Sequence, residues 1–162
     1  EFFDSEIKEK KIINKINNYN HKNILEISRT RENYFNKICK HINKTGGIIL
    51  LIDYGYYNHP TNFTLQSVYN NKKSHILDNV GNQDITSLLD FESFLNIAKL
   101  NNLQIKYFNN QKNFLLENGI IQRSKKIISK IDDKNINLFK NSMDRLISSK
   151  HMGSFKVLVV SK

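Results

Sequence analysis

The stretch Gly46-Gly47-Ile48-Ile49-Leu50-Leu51-Ile52-Asp53-Tyr54-Gly55 decides how this chain folds. Its apolar run, Ile48 to Ile52, lies between a glycine pair and an Asp-Tyr-Gly turn. A short continuous apolar run with turn signals at both ends predicts a strand buried on both faces, the pattern of a central parallel strand. Upstream, Ile27, Tyr34, Ile38 and Ile42 recur on one helical face, which predicts a helix over 26–42. Ser28 or Thr30 can cap its start, and Gly46-Gly47 can end it, because glycine accepts the left-handed C-terminal conformation. Helix, glycine turn and buried strand form the second half of a βαβ unit.

Downstream, Tyr56 to Gln83 reads as a long loop with Pro60 and scattered aromatics, and a loop longer than about 15 residues in a compact domain is usually functional or disordered. Asp84 to Ser87 is expected to open a second helix with Asp84 as its cap and Leu88, Leu89, Phe91, Phe94, Leu95 and Ala98 as its buried face. That helix should end near Asn101-Asn102. Leu103 to Phe108 alternates as a strand, with Leu103, Ile105 and Tyr107 on one face and Gln104, Lys106 and Phe108 on the other. Helices follow over 114–121 and 135–149, then a last strand from Phe155 to Val160. The alternation is that of an α/β protein. Three strands are few for a complete doubly wound sheet, so the missing ones are expected to precede residue 1.

Composition bounds the function. The chain has 162 residues, one Cys, one Pro, no Trp and a net charge of +10. A single cysteine excludes an internal disulfide and a Cys-cluster metal site, and no apolar run approaches the roughly 18 residues that span a bilayer. A positive charge of this size is the footprint of a nucleic-acid binder. However, 24 Asn, 22 Ile and 21 Lys rise together, as A/T-rich codons would make them, and only Arg29, Arg31, Arg123 and Arg145 carry guanidinium groups. Phosphate and base readers favour arginine, and the lysine runs lack the interleaved aromatics of a stacking surface. A solvated lysine-rich surface is the expectation, with nucleic-acid binding as an alternative. The start, Glu1-Phe2-Phe3-Asp4, has no initiator Met and no signal-peptide pattern. Ser5 to Asn23 is rich in Lys and Asn, with a partial helical stripe of Ile7, Ile12, Ile13 and Ile16, and reads as a weak helix or linker.

The Gly46 to Tyr56 string resembles the strand-five region of class I S-adenosylmethionine-dependent methyltransferases of the MidA type. This family includes a mitochondrial enzyme that methylates an arginine of a complex I subunit and supports complex I assembly. Other motifs follow in the family's order. Glu1 to Asp4 resembles its Asn-Glu-Phe-Phe-Asp motif after strand four, and Thr64-Leu65-Gln66 its Thr-Leu-Gln. His75, Asp78, Gly81, Asp84, Thr86, Asp90 and Phe91 resemble its His, Asp-Pro-Gly, Asp-Leu-Thr and Val-Asp-Phe. Gln111, Phe114, Leu115 and Gly119-Ile120 follow, and Met152 to Leu158 resembles its last strand. The chain departs from the pattern at Asn79-Val80-Gly81, which lacks the Pro, and at Lys112, which stands where a Gly is expected. The resemblance implies an α/β fold: the C-terminal half of a Rossmann-like class I methyltransferase, strands five to seven with flanking helices, in an incomplete sheet. Residues 1–23 would be a remnant of the loop and linker after strand four, and 24–162 the C-terminal half itself. The Gly-rich cofactor loop of the family is absent.

The resemblance implies S-adenosylmethionine as cofactor and a protein substrate, with a complex I subunit as the candidate, and the N-terminal half supplied separately if it is encoded elsewhere. It places Glu1 and Asp4 as catalytic carboxylates able to grip a guanidinium, and Glu1 with Phe2 at the cofactor. The competing reading is ordinary charges at a frayed terminus. Asp53, at the carboxyl end of its strand, either orients substrate or caps the next turn. Tyr54, Gln66, His75 and Asp78 are the candidate substrate-binding residues, and no metal ligands are expected. Cys39 reads as a buried inert thiol. A non-catalytic fragment serving as an interaction module is the main alternative. The compartment would be the cytoplasm in a bacterium or the mitochondrial matrix in a eukaryote.

Overall fold

The computed structural model describes residues 6–17, 25–58 and 60–162. Its helices are α1 (Lys10–Asn17), α2 (Arg29–Thr45), α3 (Phe91–Leu100), α4 (Gln111–Glu117), α5 (Ile120–Ile128) and α6 (Asp133–Ile147). Its strands are β1 (Ile48–Asp53), β2 (Gly55–Tyr56), β3 (Gln66–Tyr69), β4 (Lys72–Ser74), β5 (Asp84–Thr86), β6 (Leu89–Asp90), β7 (Gln104–Asn110) and β8 (Lys156–Ser161). The chain divides into two compact units: residues 1–28 with 59–86, and residues 29–58 with 87–162.

The larger unit is built on a three-stranded sheet in the order β1-β8-β7. β8 runs antiparallel to both neighbours, so β1 and β7 are parallel to each other across it. Cross-strand rows show how the core is assembled. Ile49, Val160 and Ile105 stand abreast, as do Leu51, Leu158 and Phe108. These rows pack on Phe35 and Cys39 of α2 and on Phe91, Phe94, Leu95 and Ala98 of α3. Phe94 stacks on Phe35 with ring centroids 4.6 Å apart.

Several expectations are corrected here. β1 is an edge strand of its sheet among the described residues, not a central one, and it pairs antiparallel. Its burial alternates: Ile49 and Leu51 face the core, whereas Ile48, Leu50 and Ile52 are 69%, 54% and 39% exposed. Within α2 Ile42 packs on the core as expected, but Phe35 and Cys39 are the buried residues in place of their neighbours Tyr34 and Ile38, which are 64% and 47% exposed. In β7 the register shifts between Ile105 and Tyr107. That bulge takes up Lys106, so Phe108 joins Ile105 on the core face and Tyr107 turns to the other, where it packs edge-on against Phe114 of α4.

Asp84 does not cap a helix. It begins β5, and the cap of α3 is Asp90, whose carboxylate accepts from the Ser93 amide at 3.1 Å and from its hydroxyl at 2.6 Å. The helix ends where expected: Asn102 adopts φ +56° and the Leu103 amide returns to the Ala98 carbonyl, closing the left-handed cap that glycine usually supplies. The helix expected over 114–121 is two helices, α4 and α5, parted by Gly119. α4 is fixed by Gln111, a buried side chain that donates to the Leu146 carbonyl at 2.9 Å while its amide donates to Phe155 O at 2.7 Å.

In the smaller unit the long loop is in part a sheet, in the order β4-β3-β5. Asn70 and Asn71 both take positive φ, +49° and +60°, and join β3 to β4 by a two-residue turn. Asparagine tolerates that conformation, and its handedness matches the twist of the strands.

Gly55 marks the tightest packing at the end of β1. A Cβ there would lie 2.4 Å from the Phe91 ring and 2.6 Å from the Leu89 carbonyl oxygen. Leu89 cannot withdraw without breaking the parallel β2–β6 ladder, and the Phe91 ring is fully buried. Gly55→Ala is expected to cost about 1–3 kcal/mol in urea-unfolding stability, the usual penalty of overpacking. An unchanged unfolding midpoint would show that the strand end is not held this tightly.

Candidate functional site

Two places carry the candidate residues. The first is the carboxyl end of β1. Asp53 stands opposite Lys156 at the start of β8, which in turn stands opposite Asn110 at the end of β7. The carboxyl ends of the two parallel strands therefore share one edge, the edge where open α/β sheets take ligands. The Asp53 carboxylate accepts the amide of the next residue, Tyr54, at 2.7 Å. The Tyr54 carbonyl accepts from the Leu89 amide at 2.9 Å, while its exposed ring lies against Phe155 with centroids 4.1 Å apart. Tyr57 lies beside Phe108 at 5.7 Å. This edge thus presents a fixed carboxylate among aromatic faces.

The second place is a cavity of about 600 Å³ within the smaller unit. Gln66 and His75 line it, with Phe63, Leu65, Ile76 and Lys73. Its polar floor is internally bonded. The Ser67 hydroxyl donates to the Ser74 carbonyl at 2.7 Å, and the Ser74 hydroxyl donates to Gln83 Oε1 at 2.8 Å. Gln83 Nε2 donates onward to the carbonyls of Ile76 at 2.7 Å and His75 at 3.1 Å. Glu26 ties the approach to β3: its carboxylate accepts from the Thr64 amide at 2.7 Å, the Thr64 hydroxyl and the Leu65 amide at 3.3 Å.

The structure therefore gathers Gln66 and His75 around one cavity. Asp78 does not line it; its amide donates to the His75 carbonyl in the following turn. Asp53 and Tyr54 belong to the other unit. Glu1, Phe2 and Asp4 lie outside the described residues. Sequence reading missed Phe63, Lys73, Glu26 and Phe155. The Asn70-Asn71 pair was the available signal for the hairpin that sets Lys73 opposite Val68 and so on the same cavity as Gln66.

No group of three or more His, Cys, Asp or Glu able to hold a metal occurs among the described residues, and none of their helices is long and apolar enough to cross a membrane. The six glycines do not form a cradle for S-adenosylmethionine. Gly46 and Gly47 end α2, Gly81 lies in a turn and Gly119 parts α4 from α5. The space at Gly55 and Gly153 is already filled, by Phe91 and by the Ile147 backbone. The described residues alone do not fit that cofactor.

Two groups have displaced acidities. The Tyr107 hydroxyl is shut off from water without a hydrogen bond of good geometry, and its pKa is raised by burial and then by the nearby Glu117 carboxylate. Burial pushes the Cys39 thiol from 9.0 to about 11.

Residues 2–109 match the family described as "Putative S-adenosyl-L-methionine-dependent methyltransferase", and the chain belongs to that family. It is 28% identical over 117 residues to the Caenorhabditis elegans "Protein arginine methyltransferase NDUFAF7 homolog, mitochondrial", covering 72% of this chain and 26% of the relative. A solved structure from Burkholderia thailandensis superposes with a TM-score of 0.73 at 24% identity, over 84% of this chain and 38% of that one. A second solved structure from the same organism, of a "likely methyl transferase" bound to S-adenosyl-homocysteine, gives a TM-score of 0.69 at 25% identity, over 81% and 35%. The chain thus spans about a quarter of the curated relative and little more than a third of each solved chain.

The Cys39 thiol is expected to resist iodoacetamide at pH 8 in the folded protein and to react once urea unfolds it, since only the thiolate is nucleophilic. The linked stability has a definite sign. The neutral thiol is favoured in the folded state, so its contribution is full below the unfolded pKa of 9.0 and is lost as pH rises towards about 11. Rapid alkylation of the native chain would overturn the assignment.

Proposed function

We propose that the chain forms the C-terminal half of an S-adenosylmethionine-dependent protein methyltransferase, arginine-directed and linked to assembly of respiratory complex I. Residues 24–162 are that half in this reading, and 1–23 a remnant of the preceding loop and linker. The observation that carries the proposal is β1: its outer edge pairs with no described strand, and its face of Ile48, Leu50 and Ile52 is uncovered. Exposed apolar strand edges are the surfaces that further strands and helices cover. The likeness to a structure bound to S-adenosyl-homocysteine supports the same reading, as does the arginine methyltransferase relative. That relative is mitochondrial, which supports a matrix location if the source is a eukaryote.

In this reading the cofactor-binding half comes from residues outside those described or from another chain. The residues here work on the substrate side. Asp53 and Tyr54 border the substrate at the carboxyl edge of the sheet, and Gln66, His75 and Asp78 belong to the substrate-binding segment. Glu1 and Asp4 grip a protonated guanidinium, with Glu1 and Phe2 beside the cofactor. Their contribution to rate is alignment and exclusion of water. A second reading, a non-catalytic interaction module, draws on one observation: all six glycines are occupied by turns or packing.

Calorimetric titration with S-adenosylmethionine separates the two. The 162-residue chain alone is expected to give no binding heat, and a mixture with a chain carrying the Gly-rich half of a family member is expected to bind and to methylate an arginine peptide. No binding by the mixture, while the partner chain alone is folded, would favour the module.

A further inference from the structure

We infer that the cavity between Gln66 and Ile76 is a docking subsite for an extended peptide bearing an apolar side chain next to a carboxylate; this rests on the reading of the substrate as a protein. At about 600 Å³ the cavity falls within the range of ligand pockets, which run from roughly 300 to 1,000 Å³. Its apolar wall is Phe63, Leu65 and Ile76, and Phe63 is 71% exposed, a large ring held at a concave site rather than packed in a core. Such a wall takes an aliphatic or aromatic side chain.

The polar side of the cavity selects what accompanies that side chain. Lys73 is the one formally charged side chain among the described residues that line it. Asp84 shares its cross-strand row, but Val68 stands between them. The two charges are thus two strand spacings apart, roughly 10 Å, about one Debye length at 0.1 M salt. His75 Nδ1 accepts the Leu77 amide at 3.3 Å, so in the neutral ring Nε2 carries the proton and is a donor. A cation and a donor favour a carboxylate with its neighbouring carbonyl.

The form of the partner follows from the sheet. In the order β4-β3-β5, β4 is an edge strand among the described residues, and its Lys73 and Ser74 border the cavity. An extended segment can add its backbone to such an edge while alternate side chains enter the adjoining pocket. The Ser67, Ser74 and Gln83 hydrogen bonds hold the floor in place beforehand, so little ordering remains to oppose binding.

The test is a peptide titration of the 162-residue chain followed by amide NMR. Acetyl-Gly-Leu-Glu-Gly-amide should shift the resonances of Phe63, Gln66 and His75 saturably. Acetyl-Gly-Leu-Lys-Gly-amide and acetyl-Gly-Gly-Glu-Gly-amide should bind several-fold more weakly. Lys73→Gln should weaken the acidic peptide about threefold and leave the lysine peptide bound no more weakly than before, as expected for an exposed charge pair. Phe63→Ala should weaken both leucine peptides about fivefold or more. Both positions are exposed, so neither variant endangers folding.

Absence of shifts at millimolar peptide overturns the proposal, and so does equal binding of the acidic and basic peptides. Shifts produced at the same residues by a single-stranded oligonucleotide, and not by peptide, overturn it as well. Because the readout is binding without methyl transfer, the two readings fail separately. Selective peptide binding by a chain whose reconstituted mixture never methylates sinks the enzyme and keeps the subsite. Methylation with no peptide selectivity does the reverse.

Discussion

The larger unit depends on one arrangement: the last strand of the chain lies between two earlier ones. β8 contributes Val157, Leu158 and Val160, all with no exposed surface, and fully burying such side chains is worth roughly 1.5–3 kcal/mol each. Without β8, β1 and β7 have no hydrogen-bonded partner in that sheet, and the rows Ile49-Val160-Ile105 and Leu51-Leu158-Phe108 each lose their middle member. The helices meet the same rows. α2 and α3 pack their apolar faces on Leu158 and Val160, so the helices and the sheet share one core. The antiparallel β8 also lets Asp53, Lys156 and Asn110 stand in one line, which gives the sheet a single ligand edge although its strands run both ways.

The opposite face of that sheet has a different energetic character. Leu50, Val159 and Tyr107 form a row whose far end is packed on α4 through Phe114, while its near end at Leu50 is exposed. Coverage thus falls off strand by strand toward β1. A sheet face that is dry on one side and wet on the other across so short a distance is uneconomical as a permanent surface. The proposed assembly with a cofactor-binding half rests on that gradient, together with the short share of its relatives' length that the chain spans.

How much of this was readable in advance differs by element, for physical reasons. The apolar run at Ile48, the glycine stop after α2 and the Asn101-Asn102 end of α3 were legible because each is a local decision of backbone conformation. Which face is buried was harder. In α2, Tyr34 and Ile38 are as apolar as Phe35 and Cys39, and only the position of α3 and β8 chooses between the stripes. In β7, one bulge residue reversed the sidedness of Tyr107 and Phe108, a change that alternation alone cannot reveal. Asp84 and Asp90 are both acidic residues ahead of an apolar run. Each has a serine three residues on, Ser87 and Ser93, but Asp84–Thr86 is drawn into β5 beside β3, so only Asp90 is left at a helix start to accept the Ser93 amide and hydroxyl. The hairpin at Asn70-Asn71 was hidden because strands of three or four residues carry too little periodicity to stand out from a loop.

The candidate residues divide along the same line. Asp53 was weighed as either a substrate-orienting carboxylate or a turn cap, and its carboxylate accepts the adjacent Tyr54 amide at the strand end. A carboxylate has two oxygens and about four acceptor sites, so one amide bond fixes the group without exhausting it. Fixation is what a positioning residue needs, since a carboxylate that swings freely loses orientation at each turn of its side chain. Gln66 and His75 came from resemblance alone, and the cavity they share gives them a physical setting that spacing could not, because β3 and β4 meet only through the turn. Lys73 was passed over as one more lysine in a chain that has 21 of them. Its distinction is its place in the lining of a largely apolar cavity, where the proposed subsite would read its charge against hydrocarbon. Within a lysine-rich surface, selectivity comes from the apolar groups around a cation more than from the cation itself.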